Sequence, residues 1–327
     1  MGLLANPKRQ LERYFSRNPD IKIIVVAGNF GRASAFRALG TILGQAHLVT
    51  MGVNDNADAE IPDVVLLDFN SVANFPNIVP DFTIITSVNS GSSAGQTSDD
   101  AKRFFDLANH SKQVLINRED IPTEYSKLLT NPNITTYGDE LPANYYFEEL
   151  DTNFHGQTGN FVNPNGQRLH VHVNLLGDHN LRPVTMAVAV AHFFEIPPEK
   201  IIAGVEALHP LPGCMSVSRG ANNSIIIDDS ADTSVLSTQL SLRTIYMLDA
   251  PSRILITGKF DPAINIEKNL ISEVLVIDKK AQPQPDSVFK IFASELDALE
   301  YLATRLEPDG IVLLGYPLPD ITVSKIL

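Results

Sequence analysis

Short runs of consecutive apolar residues, each stopped by turn-forming residues, recur along the chain: IKIIVVAG from Ile21, PDVVLLDF from Pro62, DFTIITSV from Asp81 and KQVLIN from Lys112. A continuous run, unlike an alternating one, fits a strand covered on both faces. Segments of helical period lie between several of them, such as SAFRALGTILGQ from Ser34 and SDDAKRFFDLANH from Ser98. Strands alternating with helices predict a parallel sheet. From Pro142 to Gly177 the pattern turns to period two in NYYFEEL, TGNFVNP and QRLHVHVNLL. That predicts an antiparallel ribbon with a hairpin turn at Asn163-Pro164-Asn165-Gly166. A helix is expected from about Leu181 to Phe194. Pro197-Pro198-Glu199 opens another, through Leu208.

His209-Pro210-Leu211-Pro212-Gly213 interrupts both periods and marks a domain boundary. A second α/β series follows it: SIIIDD, a helix over 235–248, RILITG, EVLVID, a helix over 294–306, and GIVLLG. The expected organisation is one α/β domain over 1–208 and a smaller one over 209–327. Ligands in such open sheets sit at the carboxyl ends of the strands.

Composition narrows the function. Among 327 residues, 44% are apolar and 19% charged, enough for ordinary globular cores. No apolar run approaches the ~20 residues of a membrane span. The start, MGLLANPKRQLERYF, is charged and amphipathic, unlike a signal peptide. A net charge of −13 argues against nucleic-acid partners, since phosphates would be repelled. The lone cysteine, Cys214, excludes an internal disulfide and a cysteine-based zinc site, and is expected to be a small core hydrophobe. A soluble, cytoplasmic protein is expected.

The chemistry-bearing stretch is IIVVAGNFGRASAFRALGTIL, Ile23 to Leu43. A strand, the turn Gly28-Asn29-Phe30-Gly31 and a helix form the layout of a phosphate-binding loop. Its glycines would let backbone N–H groups face an anion at the helix start. A tight glycine turn before a capped helix fits the same residues. Asp68 at the end of VVLLD is a hard oxygen ligand or an ordinary strand-end aspartate. His179 and Asn180 open a helix, where Asn180 would serve as a cap. Asp228 and Asp229 end a strand and suit an Asx turn. His170 and His172 share a strand face without a third metal ligand. Lys259 follows a strand-to-glycine turn, Arg253 to Gly258.

In this order the motifs resemble the Mur ligases, ATP-dependent amide-forming enzymes of peptidoglycan synthesis related to folylpolyglutamate synthase. The resemblance spans the family's central ATPase domain and C-terminal domain. It implies a P-loop-like central parallel sheet and a Rossmann-like second domain. No counterpart of the family's UDP-sugar-binding domain is seen. By resemblance, Gly28, Asn29, Gly31, Arg32 and Ser34 would bind nucleotide, joined by His179, Asn180, Asp228 and Asp229, with Asp68 as metal ligand. Lys102 matches the lysine that many members carbamylate; an exposed helix lysine is the alternative. Arg253 to Gly258 resembles a strand-to-glycine turn of the family's C-terminal domain, and by that resemblance Lys259 is a candidate phosphate or substrate contact. ATP and Mg²⁺ are the implied cofactors, with an unknown carboxylate and amine, or a protein, as partner.

Departures from the family pattern matter as much. Arg32 stands where the loop has lysine, and a planar fork is not a point charge. Ala33 replaces the metal-binding hydroxyl, and Ser87 to Ala94 contains no histidine. Pro183 replaces a helix asparagine, and Cys214 an arginine that serves the nucleotide. Phosphoryl transfer needs that electrostatic apparatus. The expectation is therefore a degenerate nucleotide site without tightly bound Mg²⁺, on either a weak ligase or a non-catalytic partner subunit. A dinucleotide-binding dehydrogenase is disfavoured, because GNFGRAS lacks the Gly-x-Gly-x-x-Gly pattern.

Overall fold

The computed structural model describes residues 13–52, 60–72, 78–88, 96–121, 125, 127–258, 260–278 and 288–318. Two compact units emerge: 1–150 with 158–173 and 180–208, and 209–327 with 151–157 and 174–179. No helix among the described residues is long and apolar enough to cross a membrane.

The first unit begins with β1 (Lys22–Ala27), α1 (Arg32–Leu43), β2 (Val49–Met51), β3 (Val64–Asp68), a helical turn at Phe69–Val72, β4 (Phe82–Ile85), α2 (Gln96–Asn109) and β5 (Gln113–Asn117). It continues through β6 (Ile134–Gly138), β7 (Tyr145–Asn153), β8 (Gly156–Val162), β9 (Arg168–Val173), α3 (Asp178–Phe193) and α4 (Pro198–Glu206). Nine strands form one sheet in the order β2-β3-β1-β4-β5-β6-β7-β8-β9. The ladders from β2 to β6 are parallel. Burial explains the continuous apolar runs: Ile24 to Ala27 on β1 and Val64 to Val65 on β3 are completely enclosed. β7 pairs with β6 in parallel as well, and β7, β8 and β9 then form a meander whose two connections are too short for a parallel crossover. Its last turn closes where Asn163 Oδ1 accepts from Asn165 N and Gln167 N, with Gly166 at φ 74°.

The second unit contains β10 (Ser216–Arg219), β11 (Ile225–Asp228), α5 (Val235–Met247), β12 (Arg253–Thr257), β13 (Glu273–Ile277), β14 (Phe289–Phe292), α6 (Glu295–Ala303) and β15 (Ile311–Gly315). Its sheet runs β10-β11-β15-β12-β13-β14, parallel except for the β10–β11 pair. Ser234 and Ser294 cap α5 and α6, accepting from Ser237 N and Asp297 N. Phe154 and Leu176, from the two early segments of this unit, pack in the core with Ile225, Leu242 and Ile311.

Candidate functional site

At the carboxyl end of β1 the chain turns through Gly28 at φ 143°, a conformation effectively reserved for glycine, and Gly31 at φ 79°. A Cβ on Gly28 would fall 2.2 Å from Thr86 Oγ1. The tail of β4 holds this turn. Thr86 Oγ1 donates to Phe30 O at 2.6 Å and Ser87 Oγ to the same oxygen at 3.0 Å. In return, Asn29 N donates to Ser87 O at 3.3 Å and Phe30 N to Ser87 Oγ at 2.9 Å. Two loop N–H groups expected to face an anion are thus turned onto the protein. Those of Arg32, Ala33 and Ser34 precede the first helical bond, Ala35 N to Gly31 O, and form the available donor set at the α1 start. Gly31 provides no side-chain cap.

Arg32 Nη1 meets Asp68 Oδ2 at 2.7 Å, with each side chain 32% exposed. The other carboxylate oxygen, Oδ1, accepts from Asn70 N at 2.9 Å. Loop cation and strand-end carboxylate therefore satisfy one another. A divalent cation at Asp68 would have to displace the guanidinium, and Ala33 has no oxygen to add, so these residues do not fit a metal. No group of three His, Cys, Asp or Glu side chains suited to a metal occurs among the described residues. Lys102 lies exposed on α2, 3.6 Å from Asp99. His170 and His172 pair across the meander with Asn160 and Thr158 at 3.2 and 2.9 Å. Lys259 and residues 89–94 lie outside the described residues.

The neighbouring strand tips carry a cluster whose partners local sequence does not announce. Val88 N donates to Asp120 O at 3.0 Å, joining the β4 tail to the loop after β5. Arg182, in the first turns of α3, forks onto Asp139 through Nε and Nη2, both 2.7 Å, and reaches Asp120 through Nη1 at 3.0 Å. Burial raises Glu119 and Asp120 above ordinary carboxylate values, and the guanidinium opposes this only in part. A cation in the first turns of a helix runs against the helix dipole, and that anomaly was a usable signal. α3 starts at Asp178, so Asn180 lies inside the first turn and is not the cap that the sequence suggests. Pro183 removes the N–H that would have reached the His179 carbonyl.

In the second unit Asp228 Oδ1 accepts from Ser230 N at 3.1 Å, an Asx turn. Asp229 points inward. Its Oδ1 accepts from Met215 N at 3.2 Å, and its Oδ2 from Ser237 Oγ at 3.2 Å and from Ser241 Oγ. Burial pushes this carboxyl up to about 6. Gly177, at φ 86°, sits so close to His179 that a Cβ there would come within 2.6 Å of the imidazole Cε1. The hydrogen bonds give Asp229 structural partners that its motif did not reveal.

Residues 96–191 match the family model of the Mur ligase middle domain. The MurF ligase from Thermotoga maritima, solved in complex with ADP, superposes with a TM-score of 0.72 at 14% identity, over 96% of this chain and 81% of that one. The chain has the Mur ligase fold. A MurF from Acinetobacter baumannii gives 0.71 at 14% identity, over 91% and 74% of the two chains. The apo L. casei FPGS gives 0.68 at 15%, over 97% and 94%. The likeness to these structures shows the fold, and the family match covers residues 96–191 of the chain. No curated protein sequence matches the chain. The matched Mur segment contains Lys102, His179, Asn180 and the Arg182 cluster. The glycine loop, Arg32 and Asp68 lie before it.

Proposed function

We propose that this protein is an ATP-dependent amide-ligase scaffold whose nucleotide loop is neutralised from within, leaving weak, metal-independent nucleotide binding and little or no ligase turnover. The observation that carries this is the Arg32–Asp68 pair at 2.7 Å. In a working phosphate site the loop cation faces the phosphates and the carboxylate faces the metal. Here each answers the other. The N–H groups of Arg32 to Ser34, with Arg32 released from Asp68, remain the anion-binding element. Asn180 is the further residue of the first unit that we assign beside a nucleotide. Asp68 is assigned as the partner of Arg32 and not as a metal ligand. The domains we propose are 1–208 and 209–327, with the short segments 151–157 and 174–179 packing into the second. The acid and amine of a ligase reaction, or a partner protein, would complete the assembly.

Calorimetric titration with ATP, with and without Mg²⁺, tests the proposal. Binding no tighter than about millimolar and unchanged by Mg²⁺ is the expected result. Submicromolar, Mg²⁺-dependent binding, or ATP hydrolysis at ordinary ligase rates, would overturn it.

A further inference from the structure

Within the first unit, a cavity of about 740 Å³ opens between the β8–β9 hairpin and the connection from α3 to α4. Ligand sites typically fall between about 300 and 1,000 Å³. His192 lines it, and lies 12 residues after Asn180 on one helix, roughly 18 Å along the axis. The cavity is therefore separate from any nucleotide at the α3 start.

Its walls are apolar: Val188, Ile196 and Ile201 on the helical side and Phe161 on the hairpin. Tyr145, whose hydroxyl meets His192 Nδ1 at 2.7 Å, adds a second aromatic wall. The charges at its rim do not cancel. Arg168 is held by Glu148, Nε to Oε2 at 3.0 Å and Nη2 to Oε1 at 3.3 Å. Glu195 forms no ion pair among the described residues and lies exposed at φ 55°, just past the last turn of α3. A helix carboxyl end adds negative partial charge there. Aromatic faces, an unmatched carboxylate and the negative end of a helix all favour a cation.

We propose that this cavity binds a small organic amine with an apolar body, the body against Val188, Ile201 and Phe161 and the ammonium toward Glu195. The probe is phenethylamine, titrated into the full chain by ligand-observed NMR and calorimetry. Phenylacetate serves as the charge-reversed match. Phenethylamine is expected to bind with a Kd of about 1 mM. Phenylacetate is expected to bind at least about fivefold more weakly, and Glu195→Gln to weaken phenethylamine about fivefold. Leu169→Trp, at the partly exposed rim, is expected to block both. Equal affinity for the two probes, no saturable binding of phenethylamine, or a folded Glu195→Gln variant with unchanged affinity would each overturn the proposal. If Glu195→Gln does not fold, the two probes on the unmodified protein decide it.

Discussion

Asp68 closes β3 in the first unit, and Asp229 directly follows β11 in the second. By sequence they are the same kind of residue, an aspartate where a buried parallel strand meets a loop. Their surroundings treat them oppositely. Asp68 is one-third exposed and faces a guanidinium, so its charge is balanced and partly hydrated. Asp229 is 7% exposed and receives two hydroxyls and a backbone N–H but, among the described residues, no cation. Hydrogen bonds satisfy its oxygens without repaying the loss of water, and burial pushes its carboxyl up to about 6. The first site is organised around charge that an anion or salt can perturb. The second is organised around hydrogen-bond donors to a buried carboxyl.

The largest expected effect breaks the loop side. Gly28→Ala brings a Cβ within 2.2 Å of Thr86 Oγ1 at φ 143°. Strain and the loss of the Thr86 bonds are expected to lower stability by about 4 kcal/mol in urea unfolding; a loss below ~1 kcal/mol would mean the turn adapts freely. On the other side, Asp229→Ala at pH 5 leaves Ser237, Ser241 and Met215 N without their acceptor. A loss of about 3 kcal/mol is expected.

Proton linkage sharpens the contrast. Burial pushes the Asp229 carboxyl up to about 6 in the folded chain, against 3.8 for an unburied aspartate. Between those values the unfolded chain has released a proton that the folded chain keeps. Stability at this residue is therefore full below the lower value and falls as pH rises, by roughly 2–3 kcal/mol once pH passes the upper one. Denaturation midpoints at pH 4, 5, 6 and 7 read this, and Asp229→Asn should flatten the series. An unchanged slope in that variant would assign the titration elsewhere. The smallest effect belongs to the Arg32–Asp68 pair. A double-mutant cycle with Arg32→Gln and Asp68→Asn is expected to give at most about 1 kcal/mol, shrinking in salt. A coupling of several kcal/mol would make the pair a structural element and not a releasable one.

Much of the fold was legible because burial on both faces leaves unbroken apolar runs. β1, β3, β4 and β5 lie within the four runs quoted from the sequence, and the hairpin turn falls at Asn163–Gly166. The glycine loop was legible as a turn but not in what it holds. Ser87, which takes two of its N–H groups, comes 57 residues after Phe30. Ser237 and Ser241 follow Asp229 by eight and 12 residues, one helix face closing on a strand end. Asp120 and Asp139 meet Arg182 across 62 and 43 residues. Such pairings leave no local period and are set by the sheet that brings strand tips together. Asn180 failed as a cap because α3 reaches back to Asp178, whose acidic side chain suits a first turn.

The chain changes unit at 150/151, 157/158, 173/174, 179/180 and 208/209. During synthesis, Phe154 and Leu176 leave the ribosome well before Ile225, Leu242 and Ile311, the residues that cover them. The first 208 residues can complete most of their sheet while these two side chains wait uncovered. A fragment ending at Leu208 would leave them uncovered permanently, and is expected to bind more of a hydrophobic dye than the full chain does. Co-expression with 209–327 is the simplest way to cover them.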